Sequence, residues 1–184
     1  MTDASQPPLI MVTNDDGILA PGIQALADSL HSLGEVVIVA PDRERSAAGH
    51  SMTLHQPVRA DQISENRFAV DGTPTDCVNL AIHGLLPERP TLVVSGINHG
   101  SNLADDITYS GTVAAAMEAM LMQVPALAVS LDVVPDRVAD YRFASHYAYV
   151  VARQILEHGL PHDTFLNLNV PYGTPKGMRI TRQG

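Results

Sequence analysis

Two adjacent aspartates, Asp15 and Asp16, follow directly on a short apolar run near the start of the chain. The run, 9–12, is typical of a strand that is buried on both faces. Neighbouring carboxylates at the end of such a strand repel each other and are costly to bury unpaired. A hard divalent cation removes that conflict, because it binds oxygen ligands and usually takes one or two carboxylates. The pair is therefore a candidate metal site, although the sequence NDDG at 14–17 also suits a solvated turn.

Polar residues also follow the second and third apolar runs of the chain. The sequence PDRERS at 41–46 comes after 36–39, and SGINHGSN at 95–102 comes after 92–94. Ligands of open parallel sheets bind outside the carboxyl ends of the strands, so we expect the three clusters to converge at one edge. Carboxylates beside Ser and Asn oxygens suit a Mg²⁺-class ion better than Zn²⁺, and no Cys or His pair in the sequence has zinc spacing.

A candidate anion site lies further along the chain, at Ser110-Gly111-Thr112. These residues open an apolar helical pattern, and the free N–H groups and dipole of a helix N-terminus attract phosphate. Gly111 leaves room for the close approach of phosphate oxygens. Simple capping of the helix by Ser110 is the alternative interpretation.

The elements that must position these residues alternate between strand and helix patterns. Buried strands are predicted at 9–12, 36–39, 92–94, 126–131 and 165–170. Amphipathic helices are predicted at about 21–33, 74–85, 113–124 and 140–158. An insert at about 52–72 contains two strand-like arms that predict a β-hairpin. The pattern indicates an α/β fold with right-handed crossovers and a mostly parallel sheet, in a single domain spanning 1–184.

Composition and charge exclude several classes of protein. The chain has 184 residues, 45% of them hydrophobic, and no apolar stretch is long enough to span a membrane. A net charge of -9 argues against a nucleic-acid partner, since binding to a phosphate backbone needs a basic face. Cys77 lies on an apolar helical stripe and is interpreted as a core residue. Without a disulfide or a signal sequence, the protein is expected in the cytoplasm.

Five motifs together resemble those of the SurE survival-protein family. They are NDDG at 14–17, ERSAAGHSMT at 44–53, GTPTDCV at 72–78, SGINHGSNLADD at 95–106 and YSGTVAAAMEA at 109–119. The resemblance implies a Rossmann-like three-layer sandwich and a metal-dependent phosphomonoesterase that hydrolyses nucleoside 5′- and 3′-monophosphates to nucleoside and phosphate. The full-length family form is expected to be a homodimer or homotetramer. The C-terminal segment that builds this assembly is expected to be absent here.

The resemblance also implies a role for individual residues. One divalent ion per subunit, Mg²⁺ or Mn²⁺ with Ca²⁺ also compatible, would be held by Asp15, Asp16, Ser46 and Asn98. The implied catalytic residues are Asp15, Asp16 and Asn102. The implied phosphate-binding residues are Asn102, Ser110, Gly111 and Thr112. Both His50 and His99 stay open as the group that protonates the leaving oxygen.

Three alternatives to an enzyme of this family can be weighed against the sequence. A receiver-type regulatory module also has paired acids after its first strand, but it needs an Asp after the third strand and a Lys after the fifth. Here Ser95-Gly96 follows the third strand, and the only lysine, Lys176, comes after Pro-Tyr-Gly-Thr-Pro. A haloacid-dehalogenase-type phosphatase would need acids spaced Asp-x-Asp and a helper lysine, and this chain does not supply that lysine. A module that binds metal or nucleotide without turnover stays open, and release of phosphate would separate it from an enzyme.

Overall fold

Seven strands form one sheet in the computed structural model, which describes residues 7–183. The strands are β1 (Leu9–Thr13), β2 (Glu35–Pro41), β3 (Ala60–Ser64), β4 (Arg67–Val70), β5 (Leu92–His99), β6 (Ala126–Leu131) and β7 (Leu166–Val170). Their order across the sheet is β3-β4-β2-β1-β5-β6-β7. Every neighbouring pair is parallel except β3 and β4, so the mostly parallel sheet is confirmed. The ends of the predicted 1–184 domain, 1–6 and 184, lie outside the described residues.

Helices cover both faces of this sheet. They are α1 (Pro21–Leu30), α2 (Pro74–Leu80), α3 (Gly111–Leu121) and α4 (Arg142–His158). A π-helical turn, Ala81–Leu85, continues α2, and a 3-10 turn, Ala104–Thr108, precedes α3. One apolar core joins the sheet to α1 and α4, and a second joins the opposite face to α2 and α3. The three-layer α/β sandwich is therefore confirmed.

β1 shows why a short apolar run sits at the centre of this architecture. All five of its residues are buried, and its side chains alternate between the two cores. Ile10 and Val12 pack toward α1 and α4, whereas Leu9 and Met11 pack toward α2 and α3. A strand that is buried on both faces carries no polar side chain until it reaches its carboxyl end. The end of β1 is consequently where the polar residues collect.

The hairpin at 60–70 is part of the sheet. β3 and β4 form the predicted antiparallel pair, and β4 then pairs in parallel with β2. The hairpin thus extends the sheet beyond β2 as its last two strands, and the irregular segment before β3 runs back toward α2. Thr73 and Asp76 begin α2 with a capping box, in which each side chain accepts a backbone hydrogen bond from the other residue.

One crossover has the opposite hand to the other three. The connection from β1 to β2 runs toward the β3 edge of the sheet and passes through α1, on the face that α1 and α4 cover. The connections through α2 and α3 run toward the β7 edge and lie on the opposite face. These connections share one hand. The connection from β6 to β7 also runs toward the β7 edge but passes through α4, on the same face as α1. The prediction of right-handed crossovers throughout is therefore wrong for α4, which packs beside α1.

Within 7–183, none of the helices combines the length and the apolar character that crossing a membrane requires.

Candidate metal centre and active site

The turn after β1 brings two strand ends together. Asn14 is fully buried, and its Nδ2 donates to the carbonyl of Gly17 at 2.9 Å. Gly17 has φ of +96°, and a Cβ there would lie 3.0 Å from the backbone of Arg43. Only glycine adopts this conformation at little cost. The NDDG turn is therefore fixed in shape, and the chain that follows β2 lies directly against it.

Asp15 points into the protein, at the N-terminus of α3. The residue is 5% exposed, and its carboxylate accepts a hydrogen bond from the hydroxyl of Thr112 and lies close to the backbone N–H groups of Gly111 and Thr112. Burial raises the pKa of Asp15, and these groups act in the opposite direction. Gly111 is needed for the contact, because a Cβ would lie only 2.8 Å from the Cβ of Asp15.

Asp16 is less buried and lies beside β5. Its Oδ2 accepts the backbone N–H of His99 at 3.3 Å. Partial burial, followed by the negative charges of Asp15 and Glu44, raises the pKa of Asp16 to about 6. The surroundings of Asp16 therefore disfavour its ionised form, and a bound cation would stabilise that form.

The other two predicted metal ligands lie on segments that are bonded to the aspartate pair. Arg45 donates its backbone N–H to the carbonyl of Asp15 at 2.7 Å, which places Ser46 next to the end of β1. Ser46 is exposed, and its hydroxyl donates to Glu44 at 2.7 Å. Asn98 precedes the residue that bonds to Asp16, and its Nδ2 donates to the carbonyl of Gly100 at 2.8 Å. The amide oxygen of Asn98 is then the atom available to a cation.

These donors fit a hard divalent ion. Two carboxylates, a hydroxyl and an amide oxygen are all oxygen ligands, which favours Mg²⁺ or Mn²⁺ over Zn²⁺. Across 7–183, His, Cys, Asp and Glu side chains form no group of three or more arranged to bind a metal. The neutral oxygens of Ser46 and Asn98 are therefore needed to complete a site built on Asp15 and Asp16. The assignment of the four ligands stays a prediction.

Some of the predicted phosphate-binding groups at the start of α3 already have partners within the chain, and others are free to bind a ligand. The hydroxyl of Thr112 donates to the carboxylate of Asp15, and the backbone N–H groups of Gly111 and Thr112 lie close to the same carboxylate. Ser110 caps α3, because its Oγ accepts the N–H of Val113 at 3.1 Å, and its own hydroxyl proton stays available. The carboxylate of Asp15 thus lies at the helix N-terminus where the sequence predicts a phosphate, and phosphate binding there stays a prediction. A bound phosphate would have to lie beside Asp15.

Asn102 lies on the β6 and β7 side of the same sheet edge. It is buried, and its Nδ2 donates to the hydroxyl of Ser130 at 2.8 Å. Its backbone N–H and carbonyl bind the side chain of Asn169, and the carbonyl also accepts from Asn167. These contacts hold Asn102 rigidly through β6 and β7. Its predicted roles in catalysis and phosphate binding stay predictions.

The structure separates the two candidate histidines. His50 Nε2 lies 2.7 Å from Oε2 of the buried Glu118, so its ring is committed to α3. His99 is exposed beside Asp16, and its Nδ1 lies 3.4 Å from the hydroxyl of Tyr141. His99 is therefore the histidine at the carboxylate pair.

Sequence reasoning missed Tyr141, Ser130, Glu118 and the asparagines of β7. Tyr141 precedes α4, and its pKa is raised by partial burial and by the charge of Asp16. Asn167 and Asn169 carried a detectable signal, since asparagine alternates with leucine along β7. Glu118 was a charge within an apolar helical face. Nothing in the sequence around Tyr141 distinguishes it from the tyrosines that lie within α4.

Comparisons with known proteins show which sequences and structures the chain is similar to. The sequence model of the family described as "Survival protein SurE" matches residues 10–184. The chain is 66% identical to "5′-nucleotidase SurE" of Syntrophotalea carbinolica, covering 96% of this chain and 70% of that protein. It is 62% identical to the protein of the same name from Pelobacter propionicus, covering 95% and 72%. It is also similar to the crystal structure of SurE protein from Aquifex aeolicus, with a TM-score of 0.90 and 42% identity over 96% of this chain and 73% of that one.

The buried contacts of Asp15 predict that Asp15→Asn destabilises the metal-free protein. An amide offers one acceptor oxygen and turns its own N–H groups toward the donors of Thr112 and α3. We expect a loss of about 1–3 kcal/mol in the free energy of unfolding. Urea unfolding followed by circular dichroism in the presence of a chelator measures it, with Asp16→Asn as the matched control, which should be as stable as the unmodified protein or more stable. Equal stability of Asp15→Asn and the unmodified protein would contradict the arrangement described here.

The raised pKa of Asp16 predicts a specific pH dependence for the metal-free protein. The folded state holds the Asp16 proton up to about pH 6, whereas the unfolded state releases it near the ordinary value of 3.8. The folded state therefore binds more protons between these values, and the free energy of unfolding falls as pH rises through them. Urea unfolding at several pH values should show that this fall is reduced in Asp16→Asn. The same slope in both proteins would show that Asp16 ionises freely.

Proposed function

The chain belongs to the survival protein SurE family, and we propose that it is a metal-dependent phosphomonoesterase that hydrolyses nucleoside 5′- and 3′-monophosphates. The observation that carries the proposal is the pair Asp15 and Asp16 at the carboxyl end of β1, where the segments bearing Ser46 and Asn98 meet. Relatives with 66% and 62% identity bear the name 5′-nucleotidase. In this proposal the substrate is a nucleoside monophosphate and the products are a nucleoside and inorganic phosphate.

Asp15, Asp16, Ser46 and Asn98 would hold one Mg²⁺ or Mn²⁺. When bound, such an ion polarises a phosphate oxygen and lowers the pKa of a water molecule. Asp15 serves as an oriented ligand, since α3 and Thr112 fix its carboxylate. Asp16 serves as the ligand whose charge is least compensated within the described residues, since Asp15 and Glu44 both oppose its ionisation.

The phosphate is placed beside Asp15, at the start of α3. The N–H groups of Gly111 and Thr112 lie close to Asp15, so their role is to fix the carboxylate that faces the substrate. Ser110 retains a hydroxyl proton that can be donated to a phosphate oxygen. Asn102, which is held by the hydroxyl of Ser130 on β6, would contact the phosphate from the β6 side. Donors that are fixed before the reaction stabilise developing charge at little reorganisation cost.

His99 is the residue that protonates the leaving oxygen. It lies beside Asp16, and its Nδ1 is 3.4 Å from the hydroxyl of Tyr141, which leaves Nε2 directed away from that contact. A histidine is suited to this transfer because its ordinary pKa lies near neutral pH.

Assembly into dimers or tetramers is implied by the family and stays a prediction for this chain.

The assay of this function measures phosphate release from a panel of nucleoside 5′- and 3′-monophosphates. We expect turnover with Mg²⁺ or Mn²⁺ and none with a chelator. Asp16→Asn should lower kcat/KM by about 100-fold or more, the scale seen when one electrostatic stabiliser of a transition state is removed. Asp28→Asn makes the same charge change at an exposed position on α1 and should leave activity unchanged.

Two outcomes of that assay would contradict the proposal. Near-normal turnover in Asp16→Asn with metal present would remove Asp16 from the site. Binding of metal and nucleotide without release of phosphate would show a binding module in place of an enzyme.

A further inference from the structure

The segment 42–53, here called the Ser46 segment, has little regular structure but is tied down at several points. Near its start, Arg45 donates its backbone N–H to the carbonyl of Asp15 at 2.7 Å. At its end, the backbone N–H and hydroxyl of Thr53 donate to Asp76, at 2.9 and 2.7 Å. Ser46 lies between these two attachments. It is exposed, and its hydroxyl bonds only within the segment, to Glu44. Its position is therefore set by its neighbours along the chain.

The middle of the segment is attached to α3 and the residues before it. Gly49 donates its N–H to the carbonyl of Tyr109 at 3.2 Å. His50 then reaches Glu118, two turns into α3, with 2.7 Å between Nε2 and Oε2. The other oxygen of Glu118 accepts from Nδ2 of Asn79 on α2 at 3.3 Å.

Glu118 is a buried carboxylate that needs both of these donors. It is 6% exposed on the face of α3 that packs toward α2. A buried carboxylate without hydrogen bonds is strongly destabilising, so each donor that reaches it is held firmly. His50 is the donor that comes from the Ser46 segment. Because Glu118 requires hydrogen-bond donors, its bond to His50 holds the backbone at His50, four residues after Ser46.

We propose that His50 is a positioning residue for the metal centre, which acts through Ser46 by hydrogen bonding to Glu118. The inference rests on the proposed function, because it assigns Ser46 as a metal ligand. His50 takes no part in proton transfer, since its Nε2 is committed to Glu118 while His99 is the histidine beside Asp16. Release of His50 leaves the backbone bond of Gly49 to Tyr109 as the remaining attachment to the residues before α3, so the chain around Ser46 is held less firmly and its hydroxyl is less well fixed at the end of β1.

Two substitutions of similar polarity but different reach test this role. In His50→Gln the side-chain amide extends to about the position of Nε2 and can still donate to Glu118. In His50→Asn the amide stops near the position of Nδ1 and falls short. We expect His50→Asn to weaken Mn²⁺ binding by about 10-fold or more, the effect typical of residues that orient metal ligands. His50→Gln should stay within about 3-fold of the unmodified protein on the same scale.

The experiment measures Mn²⁺ binding by calorimetry, together with the rate of tryptic cleavage after Arg43 and Arg45 in metal-free protein. His50→Asn should be cleaved faster than His50→Gln. Ile155→Val removes one buried methyl from α4, on the opposite face of the sheet, and controls for a general loss of stability. His158→Ala controls for the loss of an exposed histidine. Both controls should bind Mn²⁺ and resist trypsin like the unmodified protein.

Each contrary result has a separate meaning. Equal Mn²⁺ affinity in His50→Asn and His50→Gln overturns the positioning role, and so does an equal loss of affinity in Ile155→Val. If the unmodified protein and Asp16→Asn bind Mn²⁺ equally, the proposed metal site fails, and the inference fails with it. The proteolysis comparison then still shows whether the hydrogen bond to Glu118 holds the segment.

Discussion

The carboxylate of Asp15 lies at the N-terminus of α3, where it accepts a hydrogen bond from the hydroxyl of Thr112 and lies close to the backbone N–H groups of Gly111 and Thr112. A buried carboxylate is tolerated only where such donors surround it, and the first turn of a helix supplies them together with a favourable dipole. This contact fixes the end of β1 against the start of α3. It also fixes the carbonyl of Asp15, which holds the backbone of Arg45 and hence the chain that leads to Ser46. Several parts of the candidate site thus depend on one side chain.

Asp16 completes the arrangement in the opposite way. It receives one long hydrogen bond from His99, and its ionisation is opposed by partial burial and by the charges of Asp15 and Glu44. One aspartate is therefore satisfied by the protein, and its neighbour is left with uncompensated charge at the surface. A divalent cation would stabilise the second while using the fixed geometry of the first. The proposed site would in this way combine a rigid ligand, Asp15, with one that gains most from the ion, Asp16.

Sequence reasoning was accurate where one physical signal dominates. The buried strands, the capping box of Thr73 and Asp76, and the convergence of polar clusters at one sheet edge all follow from local patterns. Sequence reasoning failed where one sequence pattern is compatible with two different arrangements in the fold. The amphipathic face of α4 is equally compatible with either side of the sheet, so its crossover hand and the place of Tyr141 were not predictable. The start of α3 predicted a phosphate site, but sequence alone could not show that the carboxylate of Asp15 lies against it.

The most direct test of this account is anomalous diffraction from crystals grown with Mn²⁺. If Asp15 and Asp16 form the metal centre, a manganese peak should lie about 2.0–2.6 Å from a carboxylate oxygen of each, the range for hard cations. Ser46 and Asn98 should face the same peak, and the hydrogen bond from Thr112 to Asp15 should be retained. Manganese bound only elsewhere on the protein, or none at concentrations that support turnover, would contradict the assignment of this site.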